Sequence, residues 1–149
     1  MTAISEAREI WKLHAILREG RRNDVYCDSL GKPTVGIGHL VKPEDRLHVG
    51  SRISDIQIDI FFEQDSAKAL ETSLKHWKAI NILTPEFLAA LISVNFQLGD
   101  FSVKFKNSYQ LLKEHKFDQA IANIRQSLWA KQTPKRTQDF ISAIEKISK

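Results

Sequence analysis

The sequence predicts an α+β fold that is mostly helical, and three observations predict it. Apolar residues recur at helical spacing over most of the 149 residues. Residues 25–37 instead alternate around a glycine-containing turn, which is typical of a β-hairpin. The pattern from Ser54 to about His76 is long enough for a helix that joins two parts of the chain. We therefore expect a hairpin region on the front of a helical bundle.

The elements of the first half follow in chain order. A helix is predicted from Ala3 to Glu19, and Gly20 ends it. A strand is predicted at residues 25–28, a turn at 29–32 and a return strand at 34–37. An irregular connection follows at residues 40–52. Ser54 and Gln57 form a capping-box pattern, which predicts the start of the long helix.

The second half is predicted to be entirely helical. Thr84-Pro85 and Thr133-Pro134 are good helix starts, because proline is favoured at the first helical position. Gly99 predicts the end of the first of these helices. Two further starts are expected at Asn107 or Ser108 and at Asp118, the latter opening a helix through Leu128. Trp129 is expected to be a core anchor rather than a sugar platform.

The composition narrows the class of protein. Lys and Arg outnumber Asp and Glu by 22 to 18, and this mild excess favours an anionic partner without selecting one. Cys27 is the sole cysteine, which excludes an internal disulfide framework. No apolar run approaches the roughly 20 residues that a membrane span needs. The N-terminal residues lack the core of a signal peptide.

The stretch from Arg18 to Leu40 carries the candidate chemistry. Glu19 stands at a helix C-terminus, where partial negative charge favours a protonated carboxyl, as a general acid needs. Three arginines near Glu19 favour the ionised carboxylate instead: Arg18, Arg21 and Arg22. Alternation puts Tyr26 and Asp28 on one face of the hairpin, and pairing can bring Thr34 near Asp28. The side-chain-free Gly36 and Gly38 would leave room for a ligand. Two acids, a hydroxyl and an open backbone floor suit glycoside cleavage.

These residues match a known signature in type and spacing: Glu19-Gly20, Tyr26, Asp28, Gly31, Thr34, Gly36, Gly38 and His39. The stretch resembles the phage-type lysozymes, which include the T-even phage lysozyme and the endolysins of tailed phages. The resemblance implies one lysozyme-like domain with a small hairpin lobe, a linking helix and a helical lobe on which helix 3–19 packs: about 18–54, 55–76 and 77–149.

The resemblance also implies an activity and its residues. The family's proton donor corresponds to Glu19, and the residues that hold the attacking water correspond to Asp28 and Thr34. The expected reaction is inverting hydrolysis of the β-1,4 bond between N-acetylmuramic acid and N-acetylglucosamine, with no cofactor and no metal. The other histidines lack metal-ligand spacing.

Further positions follow from the same resemblance. The substrate-binding residues of the family correspond to Leu40, Phe96, Ser108, Asn123 and Gln132. Arg136 is expected to pair with Glu19. His39 could be a catalytic base by its ordinary pKa, whereas the family's matching histidine pairs with an aspartate, here Asp65, and holds the small lobe together.

The expected partner is the glycan strand of peptidoglycan, and no nucleic acid and no stable membrane insertion are expected. We expect a monomer that is made in the host bacterial cytoplasm without a signal peptide and acts in the periplasm, released by a holin or a secretion apparatus. Two alternatives are a Cys27/His39 peptidase or amidase, disfavoured because Cys27 is expected to point inward, and a non-catalytic basic module that binds wall polymer or nucleic acid.

Overall fold

Helices make up most of the chain, and a small antiparallel sheet follows the first of them. The structure is a computed structural model that describes residues 2–147. Over these residues it contains the following helices: α1 Ala3–Glu19, α2 Asp55–Ile80, α3 Pro85–Leu98, α4 Phe101–Lys104, α5 Lys106–Lys113, α6 Phe117–Arg125, α7 Leu128–Gln132 and α8 Pro134–Ile147. The strands are β1 Arg22–Cys27, β2 Pro33–Gly36 and β3 His39–Leu40, and a 3-10 turn covers Pro43–Asp45. The predicted α+β, mostly helical fold class is confirmed.

The contacts of the backbone divide the chain into two units. The sheet unit runs Lys12–Lys68, and the helical unit comprises the residues up to Trp11 together with those from Ala69 onward. Both boundaries fall inside helices, one in α1 and one in α2, so each of these helices contributes residues to both units. The lobe limits that the sequence predicts stay a prediction.

The sheet unit is built around the hairpin of β1 and β2. Tyr26 pairs with Thr34 and Cys27 with Pro33, while an irregularity in β1 shifts the register towards Arg22. The turn closes through a hydrogen bond of 2.9 Å from the amide of Asp28 to the carbonyl of Lys32. The sequence missed β3, which pairs with the other edge of β2. A strand of two residues is too short to show a periodic pattern.

Helix α2 starts as predicted and ends later than predicted. Its first turn is capped by the Ser54 hydroxyl, which accepts a hydrogen bond of 3.1 Å from the amide of Gln57. The helix continues to Ile80, past the end expected near His76, because its buried positions continue through Trp77 and Ile80. Tertiary packing therefore extends the helix beyond the local signal.

The core of the helical unit lies between α3 and α8. Phe87 on α3 faces Phe140 on α8 at a ring separation of 6.4 Å, and Trp129 packs against Phe140 at 6.2 Å. Trp129 is 6% exposed, so the expectation of a core anchor is confirmed. Burying each large apolar side chain of this kind contributes about 1.5–3 kcal/mol to folding.

Three helix boundaries in this unit differ from the sequence predictions. Ser108 does not cap α5, which already begins at Lys106. Asp118 is the second residue of α6, and α6 ends at Arg125. Leu128 belongs to a separate helix, α7, whose start is capped by Ser127. Of these three helices, only α7 starts at a side-chain cap, whereas α5 and α6 begin without one, so neither capping residues nor apolar spacing predicts their first residues.

A buried polar network joins α2, α3 and the start of α4. The side-chain oxygen of Asn95 accepts the amide of Phe101 at 2.8 Å, which fixes the orientation of the Asn95 side chain. Its Nδ2 therefore donates to Nδ1 of His76 at 3.1 Å and to Ser73 Oγ at 2.9 Å. His76 then carries its proton on Nε2, 3.0 Å from Asp100 Oδ1. Burial lowers the pKa of His76 below its ordinary 6.5, although Asp100 acts against this shift.

Among the helices of residues 2–147, none combines the length and the apolarity that crossing a membrane requires.

Candidate active site

Glu19 is the last residue of α1 and its side chain lies against the backbone of Gly38. The helix ends with the amide of Gly20 donating to the carbonyl of Ile16 at 2.7 Å, and Gly20 takes a positive φ of 75°. A Cβ built on Gly38 would stand 2.5 Å from Oε2 of Glu19 and 3.0 Å from its Cδ. The missing side chain at Gly38 is therefore what makes room for the Glu19 carboxyl.

Asp28 is held at the start of the hairpin turn by two backbone amides. Its Oδ1 accepts hydrogen bonds of 2.9 Å from Leu30 and from Lys32. This is the usual way in which an aspartate closes a tight turn. Both bonds engage Oδ1, so the turn fixes the direction in which Oδ2 points.

Thr34 pairs with Tyr26 across the hairpin, and Asp28 follows just past the end of β1. The expectation that Asp28 and Thr34 lie near each other stays a prediction. Thr34 is 6% exposed. Its hydroxyl donates to the carbonyl of Lys32 at 3.0 Å, so Oγ1 faces its other neighbours as an acceptor.

The negative charges of Glu19 and Asp28 both affect the pKa of Tyr26. Burial raises the pKa of Tyr26, and the negative charges of Glu19 and Asp28 act in the same direction. Arg22 opposes them, with its guanidinium carbon 4.3 Å from the centre of the Tyr26 ring. The phenol therefore stays protonated at neutral pH in a neighbourhood that holds both carboxylates.

The expectation that Gly36 and Gly38 leave room for a ligand is wrong. A Cβ on Gly36 would approach Cγ2 of Ile58 to 3.3 Å, so this glycine lets α2 pack on the sheet. The space beside Gly38 is taken by Glu19. Both glycines have φ of 66°, a conformation that favours glycine in any case.

Cys27 is exposed, so the expectation that it points inward is wrong. Cys27 is the last residue of β1. The pairing of Cys27 with His39 in a peptidase nevertheless fails, because both ring nitrogens of His39 bind other residues.

His39 is clamped between two aspartates. Its Nδ1 lies 2.7 Å from Oδ2 of Asp65 on α2, which is the expected pair. Its Nε2 lies 2.8 Å from Oδ2 of Asp45, and its ring stacks on Phe61 at 3.9 Å. Burial alone lowers the pKa of His39, but the hydrogen bonds to Asp65 and Asp45 outweigh it and raise the pKa above 6.5. A ring 4% exposed with both nitrogens engaged has no nitrogen left for general-base catalysis.

The sequence reasoning missed Asp45. It follows His39 by six residues in a segment predicted as irregular, and no local pattern marks it. The available signal was its place in Pro-Glu-Asp, a combination that favours a short helical turn.

The remaining predicted site residues lie in the helical unit or at the edge of the sheet. Leu40 in β3 is exposed, and Phe96 is half-buried with its ring 4.8 Å from Trp11. Ser108 is 3% exposed inside α5. Asn123 on α6 and Gln132 at the end of α7 are exposed as well.

Arg136 donates from its guanidinium to Ser93, with Nε 3.1 Å from the hydroxyl and Nη2 2.7 Å from the carbonyl oxygen. The glycan contacts and the pairing of Arg136 with Glu19 stay predictions. Within residues 2–147, the side chains form no group of three or more His, Cys, Asp or Glu that could hold a metal ion.

The candidate site thus combines, in one unit of a mostly helical α+β fold, a carboxyl at a helix end with a hairpin turn that an aspartate closes. A family model described as Phage lysozyme matches residues 17–142, which include the whole candidate site. The chain therefore belongs to the phage lysozyme family.

Relatives of this chain carry matching descriptions. Probable T4-type lysozyme 2 of Dictyostelium discoideum is 32% identical, over 85% of this chain and 88% of the relative. Probable T4-type lysozyme 1 of the same organism is 29% identical over the same shares. Peptidoglycan hydrolase gp36 of Pseudomonas phage phiKMV is 26% identical over 88% of this chain, which spans only 14% of that phage protein.

Proposed function

We propose that this protein is a muramidase that cleaves the β-1,4 bond between N-acetylmuramic acid and N-acetylglucosamine in peptidoglycan, and thereby lyses bacterial cell walls. Membership of the phage lysozyme family supports the substrate class. The observation that carries the proposal is the placement of Glu19, Asp28 and Thr34 within one unit of the chain, with Tyr26 under the influence of both acids.

Glu19 is the proton donor in this proposal. Its carboxyl packs against the backbone of Gly38, so the direction of its oxygens is set by the protein. In the reaction it protonates the glycosidic oxygen as the bond to the leaving sugar breaks.

Asp28 and Thr34 hold the attacking water. Oδ1 of Asp28 is fixed by the two turn amides, which assigns Oδ2 to the water as the acceptor of its proton. Because the Thr34 hydroxyl donates to Lys32, Oγ1 accepts a hydrogen bond from the same water and aims its lone pair at the sugar. Attack from the face opposite Glu19 inverts the anomeric centre, and inverting enzymes separate their carboxyls by roughly 6.5–9.5 Å to admit the water.

The test is the digestion of purified peptidoglycan by the wild type and by Glu19→Gln, Asp28→Asn and Thr34→Ser. Mass spectrometry of the fragments distinguishes sugar-bond from peptide-bond cleavage, and NMR of fresh products gives the anomer formed. We expect new reducing ends of inverted configuration, no turnover by Glu19→Gln or Asp28→Asn, and partial activity for Thr34→Ser, which keeps a hydroxyl. Glu9→Gln is the matched control, since Glu9 lies exposed on the same helix.

Three results would contradict the proposal. Cleavage of stem peptides would assign the protein to the peptidases. Full activity of Glu19→Gln would remove the proton donor. Salt-sensitive binding without new reducing ends would favour the non-catalytic basic module instead.

A further inference from the structure

The clamp around His39 joins three segments of the sheet unit. Asp65 belongs to α2, Asp45 to the 3-10 turn, and His39 itself to β3. The two nitrogen–oxygen distances are 2.7 and 2.8 Å, and Phe61 stacks on the ring with an interplanar angle of 2°. Three groups thus restrain the imidazole: the two carboxylates along the nitrogen directions and Phe61 against the face of the ring.

The same clamp lies one peptide bond away from the residue that supports Glu19. Gly38 immediately precedes His39, and its Cα faces the Glu19 carboxyl so closely that a Cβ would collide with Oε2. The pairing of His39 with Val35 ties the same segment to β2. A shift of the His39 ring therefore moves the backbone on which the Glu19 carboxyl lies.

We propose that Asp45 is a positioning residue for the catalytic acid: by holding the His39 ring against Asp65, it fixes the Gly38 backbone and so the direction of the Glu19 carboxyl. This inference rests on the proposed function, because it assigns a purpose to Asp45 only if Glu19 is the proton donor. In this role Asp45 acts through His39, which it engages by a hydrogen bond from its place in the 3-10 turn.

Asp45 adds a second negative charge beside the His39 ring. Burial raises the pKa of Asp45, but the hydrogen bonds from His39 and from the amide of Lys42 hold it below its ordinary 3.8. Oδ2 of Asp45 accepts from both groups, at 2.8 Å and 2.9 Å. The groups that face His39 are thus two carboxylates and a phenyl ring, with Lys42 next to Asp45. A charged imidazole between two carboxylates is held more firmly than a neutral one, because charge-assisted hydrogen bonds are the stronger kind.

The experiment compares Asp45→Asn with Glu44→Gln on soluble peptidoglycan fragments. Asn keeps an oxygen that can accept the Lys42 amide, so the turn is retained while the charge is lost. Glu44→Gln is the matched control, because it removes the same charge from the neighbouring exposed residue of the same turn. We measure kcat and KM together with the NMR titration of His39 in each variant.

We expect kcat of Asp45→Asn to fall about tenfold with KM nearly unchanged, within the roughly 10²-fold that a displacement of about 1 Å can cause. His39 should titrate at lower pH in Asp45→Asn and at the wild-type pH in Glu44→Gln. Asp65→Asn, which opens the clamp from α2, is the second variant and should reproduce the loss of kcat if Asp45→Asn folds poorly.

A folded Asp45→Asn with the kcat of Glu44→Gln overturns the inference, as does a loss confined to stability or KM. Glu19→Gln is assayed alongside to separate the two proposals. If Glu19→Gln is inactive and Asp45→Asn is unaffected, only the positioning role fails; if Glu19→Gln stays active, the proposed function fails and the positioning role with it.

Discussion

Replacing Gly38 with alanine tests the geometry of the acid directly. The new Cβ would stand 2.5 Å from Oε2 of Glu19, whereas ordinary contact begins near 3.4 Å, so the carboxyl must move by about 0.9 Å. A displacement of that size can cost roughly 10²-fold in rate. The left-handed φ of 66° adds a cost of about 1–2 kcal/mol in stability for any residue with a Cβ.

Two other glycines separate these effects. Gly50 also has a positive φ, 95°, but a Cβ there meets no atom within 4 Å, so Gly50→Ala carries backbone strain alone. Gly36→Ala adds a contact with Ile58 and none with Glu19. Urea unfolding measures the stability of each variant, and release of reducing ends from purified wall measures activity per folded molecule. We expect all three variants to lose stability and only Gly38→Ala to lose most of its activity.

The reasoning is refuted if folded Gly38→Ala and Gly50→Ala digest wall at the same rate. Equal rates would mean that the Glu19 carboxyl has freedom to move without consequence, or that its position against Gly38 is unrelated to catalysis.

The remaining predictions concern titration and the free thiol. Because burial holds the pKa of His76 below 6.5, the folded state binds fewer protons than the unfolded state. The stability that His76 contributes is therefore lost as the pH falls below about 6.5. In urea unfolding at a series of pH values, His76→Gln should lose less stability than the wild type over this acid range. His39 has the opposite sign, since its pKa is raised through Asp65: His39→Gln should destabilise most below pH 6.5 and progressively less at alkaline pH, and a uniform effect would contradict the charged clamp. Cys27→Ser should keep full activity on purified wall; loss of turnover would reopen a thiol mechanism.

Much of the fold was accessible from the sequence because its signals are local. The helix Ala3–Glu19 was predicted with the bounds that it has, since apolar spacing and Gly20 define it. Thr84 likewise caps α3 as predicted, accepting the amide of Phe87 at 3.2 Å. The hairpin turn also lies where the sequence predicts it, between β1 and β2. These features depend only on residues within a few positions of one another.

The rest depends on distant neighbours, which no local pattern encodes. Gly36 makes room for Ile58, and that requirement appears only when α2 packs on β2. Asp45 is one of two adjacent acids in a segment predicted as irregular, and only the folded chain brings it to His39. The start of helix α4 is capped by the side chain of Asp100. The helix has only four residues, which is too few for apolar periodicity to reveal it.

The fixed amide of Asn95 makes two positions of the helical unit interdependent. Since the Phe101 amide dictates which end of that amide meets the imidazole, an aspartate at 95 would present an acceptor to Nδ1 of His76 and stabilise the imidazolium instead. Replacing the amide of Asn95 with a carboxylate would thus favour the charged form of His76 instead of the neutral one. Substitutions at these two positions should therefore be non-additive, and a tolerated change at one will depend on the occupant of the other.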